Sequence, residues 1–224
     1  MPVGVPLVFA PMYNTKGRKD ATGAFQPEAK AFCKAYGGTP CLIDNHLSLI
    51  DMREKVYAEV YCNHTSAVHV VAFFCHGNRN GIQLGFNKSN IRDLATSLSG
   101  VHAVRVVLYC CLTGNSPKGD VAALGMGGDG GFADTLRDAL CTAGAVHCQV
   151  DAHTTAGHAT MNPYVRRFLG MGSSVGGVGG FYIVSPTNKP LWAKWRKALC
   201  ETTLRFDYPF KSVAEIHDRL VHTP

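Results

Sequence analysis

Two residues in this sequence could act on a carbonyl as a pair. His76 ends the run Val70-Val71-Ala72-Phe73-Phe74-Cys75-His76-Gly77. Cys111 ends the run Val106-Val107-Leu108-Tyr109-Cys110-Cys111, with Leu112-Thr113-Gly114 after it. In both, an apolar β-branched and aromatic stretch gives way to a reactive side chain and then to a glycine-bearing loop. A thiol of ordinary pKa is only slightly ionised at neutral pH, and a neighbouring imidazole can take its proton or stabilise the thiolate. Attack on a carbonyl then needs hydrogen-bond donors for the developing oxyanion. The backbone N–H groups of Gly77 and of Cys111 itself could supply them, since glycine lets the backbone approach a substrate closely. Cys110 and Cys111 cannot both meet His76 while the strand persists, because successive strand residues point to opposite faces. Cys111 lies nearer the loop. Ser and Asp residues offer no competing triad. Asp151, His153 and His158 with Cys148 lack the spacing of a metal site, so no metal is expected.

For these residues to meet, the two runs that carry them must be neighbouring parallel strands. The chain alternates strand and helix almost throughout. Apolar or β-branched runs predict strands over residues 6–10, 40–43, 68–74, 104–110, 145–150 and 180–184. Helical spacing predicts helices over residues 27–36 and 48–61, and apolar stripes mark two more: Ile91, Leu94, Ala95 and Leu98, then Phe132, Leu136 and Leu140. Two further helices are expected near residues 191–202 and 213–221. Such alternation predicts one α/β domain over residues 1–224, a three-layer α/β/α sandwich around a mostly parallel, roughly six-stranded sheet, with the C-terminal helices packed on it. Ligands bind at the carboxyl ends of the strands in such sheets. A helix over residues 91–98 provides the right-handed crossover that brings the imidazole and the sulfur to one rim. The glycine-rich stretch 170–180 lacks the order of a phosphate-binding loop and reads as a substrate-side loop.

His76-Gly77 after one strand and Cys111-Leu112-Thr113-Gly114 after the next resemble the caspase-like (clan CD) cysteine peptidases, the group of caspases, metacaspases, legumains and gingipains. Members carry His-Gly after one strand and a Cys-x-[Ser/Thr]-Gly-like turn after the next. The metacaspase form, Cys-His-Ser-Gly, is closest, with Leu112 in place of its second residue. The stretch Cys148-Gln149-Val150-Asp151-Ala152-His153-Thr154-Thr155-Ala156-Gly157 is similar to the metacaspase strand ending Cys-x-x-Asp-Asp-Gln-Thr-Ser-Ala-Asp. By that likeness Asp151, Thr155 and His153 would border the pocket for the residue before the cut, although Asp151 could equally cap a turn. Ala152, His153 and Gly157 depart from the pattern, which leaves the preferred residue open. The interval from His76 to Cys111 is shorter than the ~50 residues typical of caspases. The resemblance implies a cysteine endopeptidase acting on protein or peptide through a Cys111 thioester, with His76 as base and then as acid, and no cofactor for the chemistry. Self-processing peptidases of the clostridial-toxin and RTX type share this layout. They imply an inositol phosphate as activator. Asp129, between Gly128 and Gly130, offers a weak calcium position, and Lys118-Gly119 and Arg166-Arg167 lie in loops where self-cleavage could serve as activation.

Bulk properties bound these readings. Of 224 residues, 46% are apolar and 17% charged, which suits a globular core and excludes disorder. The net charge of +6 is mild, and its basic residues crowd the end: Lys189, Lys194, Arg196, Lys197, Arg205, Lys211 and Arg219. A solvated helical face accounts for them, so nucleic acid is not the expected partner. The competing reading is an inactive caspase-like or flavodoxin-like module that holds a partner or polyanion through those basic helices. Nine cysteines without a secreted-framework spacing point to a reducing compartment, hence a cytoplasmic protein. Residues 5–12 are too short to span a bilayer and no signal peptide is read, so no membrane association is expected.

Overall fold

The computed structural model describes residues 5–13, 25–63, 70–100, 104–118, 127–154, 156 and 165–171. Its strands are β1 (Leu7–Pro11), β2 (Cys41–Ile43), β3 (Val70–Phe74), β4 (Gly77–Asn78), β5 (Gly81–Ile82), β6 (Arg105–Tyr109), β7 (Gln149–His153) and β8 (Val165–Leu169). Its helices are α1 (Phe25–Tyr36), α2 (Leu49–Cys62), α3 (Ile91–Ser99) and α4 (Phe132–Thr142). Six strands form one sheet in the order β2-β1-β3-β6-β7-β8. All neighbours are parallel except β8, which runs antiparallel to β7. The expected three-layer α/β/α architecture is present.

The layers follow from strand composition. A strand buried on both faces needs apolar residues at every position, and β3 is buried along its whole length. Val70, Ala72 and Phe74, with Val8, Ala10 and Val107, pack under Phe25, Ala29, Phe32 and Cys33 of α1. Val71, Phe73, Val106, Leu108 and Val150 face the other way, onto α2, α3 and α4. Connections that place α1 on one face and the later helices on the other make the strand order reverse between β1 and β3. Open α/β sheets form their binding crevice at such a reversal.

Each helix has a local cause. The Ser48 hydroxyl caps α2 by accepting from the Asp51 N–H at 3.1 Å. The Ile91, Leu94, Ala95 and Leu98 stripe of α3 is buried as its spacing predicts. Helix α4 ends in a Schellman motif: Ala145 N–H donates to the Leu140 carbonyl at 2.9 Å, and Gly144 N–H to that of Cys141 at 3.1 Å. Gly144 has φ +98°, a conformation that side chains disfavour.

That motif corrects one expectation. The strand predicted over residues 145–150 starts later, at Gln149, because Ala145 to Cys148 are used to leave the helix. A second correction concerns β8, which was not predicted. Its two central arginines hid a strand, and both are buried in ion pairs. Arg166-Arg167 is therefore not an exposed site for self-cleavage. The strand expected over residues 180–184, the glycine-rich stretch beyond residue 171 and both C-terminal helices lie outside the described residues. Among the described residues, no helix is long and apolar enough to cross a membrane.

Gly144→Ala meets no atom within 4 Å, so its cost is backbone strain alone. The expected loss is about 1–2 kcal/mol of unfolding free energy, read by urea denaturation.

Candidate active site

Strands β3 and β6 pair in parallel register from Val70 opposite Arg105 to Phe74 opposite Tyr109. Two contacts carry that register to the rim. On the α1 face, the rings of Phe74 and Tyr109 stack at 4.5 Å. One residue on, and on the opposite face, the sulfurs of Cys75 and Cys110 lie 3.5 Å apart, both buried. His76 follows β3 with its ring against Phe25 of α1, and Cys111 follows β6 at the same end of the sheet. Neighbouring strands run about 4.8 Å apart, so the two residues leave neighbouring strand ends at one rim.

The two cysteines of β6's end have opposite environments. Cys110 is buried against the Phe73 carbonyl, and its thiol is pushed well above the ordinary value by burial and by its hydrogen bond with Cys75. It is a packed, protonated thiol. Cys111 is half-buried at the mouth of the following turn. His76 is exposed, with the edge of its ring against Phe25 at 4.8 Å. Its backbone is clamped by Gln83, whose N–H donates to the His76 carbonyl at 2.8 Å while its side-chain oxygen accepts from the His76 N–H at 3.2 Å.

Glycine at position 77 is a matter of room. A Cβ there would lie 2.7 Å from Cys110 Cβ and 2.8 Å from Thr113 Cγ2. The loop after His76 thus presses directly on the turn after Cys111. Gly77 faces Ile82 across the β4–β5 hairpin as a non-hydrogen-bonded pair, which leaves its N–H out of that ladder. The hairpin closes through the two residues Arg79 and Asn80, with Asn80 N–H donating to Asn78 Oδ1 at 2.8 Å.

The Cys111 turn is tight and anchored. Leu112 adopts φ 59°, left-handed backbone that a branched residue takes only under constraint. Four hydrogen bonds impose it. Thr113 Oγ1 donates to the Cys110 carbonyl at 2.8 Å, and Asn115 N–H to that of Leu112 at 3.0 Å. Gly114 N–H donates to the His153 carbonyl at 2.8 Å, and Ala133 N–H to that of Thr113 at 3.0 Å. The turn is thereby tied to β7 and to the start of α4.

The residues expected to border the specificity pocket divide. His153 is buried at the end of β7, its ring 5.8 Å from that of Tyr109, so it lies close below the rim. Asp151 is deeper in the sheet, opposite Val107 and Arg167. Its carboxylate accepts from Arg105 at 2.8 Å, Arg167 at 2.8 Å and Gln149 at 2.7 Å. With two guanidiniums on its buried carboxylate, Asp151 has no charge to offer a basic substrate and does not border a pocket at the rim. It caps no turn either. Thr155 lies outside the described residues. Asp129, at best a weak calcium position from the sequence, pairs with Arg166 and accepts from the Gly131 N–H.

Cys148, considered with Asp151 for a metal, packs against Cys141 with the sulfurs 3.8 Å apart. That contact lowers the Cys141 thiol to about 6 and raises Cys148. The pair sits where β7 begins, at the opposite edge of the sheet from Cys111. Among the described residues, no group of three or more His, Cys, Asp or Glu side chains converges on a metal position.

Sequence reasoning missed Phe25, Gln83 and the hairpin. Asn80-Gly81 is a recognisable hairpin signal, but strands of two residues carry no periodicity to read. Comparisons with protein-family models, with curated proteins and with solved structures found no match to this chain.

Burial works to raise the Asp151 pKa, but the charges of Arg105 and Arg167 and their hydrogen bonds outweigh it and hold it below the ordinary value. A carboxylate lowered in the folded state stabilises fully above its unfolded pKa, and that contribution is lost as pH falls through the folded one. Asp151→Asn is therefore expected to cost about 3–5 kcal/mol at neutral pH. Its deficit relative to wild type should narrow by roughly pH 3, as measured by urea unfolding at both pH values.

Proposed function

We propose that the chain is a caspase-like cysteine endopeptidase, with Cys111 as nucleophile and His76 as its base. The observation that supports this most is the β3–β6 register, carried one residue further by the Cys75–Cys110 contact, with His76 and Cys111 next along their two chains. The exposure of His76, the half-buried thiol of Cys111 and the anchored turn beneath it accord with the same reading.

In this reaction His76 takes the thiol proton and the sulfur attacks the peptide carbonyl. The oxyanion that forms is stabilised by N–H groups of Gly77 and Cys111, preorganised because the hairpin and the turn hold them. Collapse breaks the C–N bond, and His76 passes its proton to the departing amine. Water, deprotonated by His76, then displaces the sulfur from the thioester and restores the thiol. These steps call for no cofactor. Substrate is protein or peptide lying across the strand ends. The described cysteines are all free thiols, which supports a reducing compartment, the cytoplasm.

Cys111→Ala is expected to lower peptide hydrolysis by at least about a thousandfold, with the unfolding midpoint little changed. Cys110→Ala should keep most of the activity. An electrophilic peptide probe should add its mass to Cys111 alone, as read by intact and digest mass spectrometry. Equal hydrolysis by wild type and Cys111→Ala would overturn the reading.

A further inference from the structure

We propose that the pocket beside His76 receives the first residue on the leaving side of the cut, and selects an uncharged, hydrogen-bonding side chain there. This rests on the peptidase reading above. The pocket is an open depression of about 320 Å³, at the small end of ligand sites, which suits one side chain rather than a long segment. Its walls are His76, the β4–β5 hairpin, the turn after it as far as Asn87, and Leu49 at the start of α2.

Position comes first. The lining includes His76 and Gly77 but no residue of the turn that carries Cys111, so the pocket lies on the hairpin side of His76, away from that turn. When the thioester forms, the C–N bond breaks and the proton taken from the thiol moves from His76 to the amine nitrogen. That nitrogen must lie against the imidazole. The residue it belongs to then continues past His76, and the space it enters is this pocket.

Charge and chemistry give the selectivity. The lining contains no Lys, Arg, Asp or Glu; its polar side chains besides His76 are the amides of Asn78, Asn80, Gln83 and Asn87. Three of these are committed to the loop itself. Asn78 Oδ1 accepts from Asn80 N–H, Gln83 Oε1 from His76 N–H, and Asn87 Oδ1 from Ser89 N–H. The exposed Asn80 side chain has no such commitment among the described residues, and it presents both a donor and an acceptor. Ile82 and Phe86, both buried, supply an apolar wall for a side-chain stem. A charged side chain entering here would lose water and meet no counter-charge in the lining, the Arg53 guanidinium behind it being bonded to the Gly85 carbonyl, which disfavours it. Asn, Gln, Ser or Thr would exchange water for amide hydrogen bonds.

The test uses a proteome-derived peptide library cleaved by wild type, with Cys111→Ala as the blank and cut sites read by mass spectrometry. Asn, Gln, Ser and Thr should be enriched directly after the cut, with Asp, Glu, Lys and Arg depleted. Asn80→Asp should raise the share of Lys and Arg there, and Asn80→Lys that of Asp and Glu, each by up to about fivefold. Opposite shifts from two variants cannot come from a shared folding defect. Cys111-dependent cleavage with a flat or charged preference after the cut, or one that neither variant moves, would overturn the subsite and leave the peptidase reading standing. A library left uncut by wild type overturns both.

Discussion

Five residue pairs, from Val70 with Arg105 to Phe74 with Tyr109, hold β3 and β6 in parallel register, and everything at the rim inherits its position from them. A slip of one residue would turn every side chain of one strand to the opposite face. Val71, Phe73, Val106 and Leu108, all buried among α2, α3 and α4, would then exchange places with Val70, Ala72, Phe74 and Val107 under α1. Full burial of each such side chain is worth about 1.5–3 kcal/mol, so a slipped register forfeits far more than any contact at the strand ends could return. The arrival of His76 and Cys111 at one rim of the sheet is thus a consequence of core packing. No attraction between the two is required.

The backbone beyond the strands is held by a different set of forces. Gly77 and Gly114 are needed for close approach: a Cβ at Gly114 would fall 2.5 Å from the Ala152 carbonyl, as one at Gly77 would fall on Cys110. The left-handed conformation of Leu112 costs about 1–2 kcal/mol. It is sustained by hydrogen bonds that reach out to β7 and α4. A side chain on such a turn is kept from following the strand's direction and is presented at its edge. Gln83 does the corresponding work for His76, gripping its backbone from both sides.

Buried charge shapes the far side of the sheet. Asp151 joins Arg105 of β6 to Arg167 of β8, and Asp129 meets Arg166 just ahead of α4. Arg137 of α4 bonds Asp134, Asp138 and the carbonyl of Leu169. Removing an arginine from water is costly unless its charge is met, and here each has a carboxylate. These pairs fix β8 against β7 and the loop that leads into α4. They explain why residues that read as exposed, basic or calcium-binding in the sequence lie inside the protein.

The sequence by itself determined the alternating elements, the double-faced burial of β3 and β6, and the helical stripes of α3 and α4. These are legible because periodicity and strand order act locally and repeat over several residues. Tertiary structure alone decided the identity of Asp151 as an ion-pair partner, the existence of β8, the late start of β7, and the pocket behind the hairpin. Each depends on which distant group arrives to neutralise a charge or complete a wall. A linear pattern records a residue's own preference. It holds no record of the partner that the fold will bring to it.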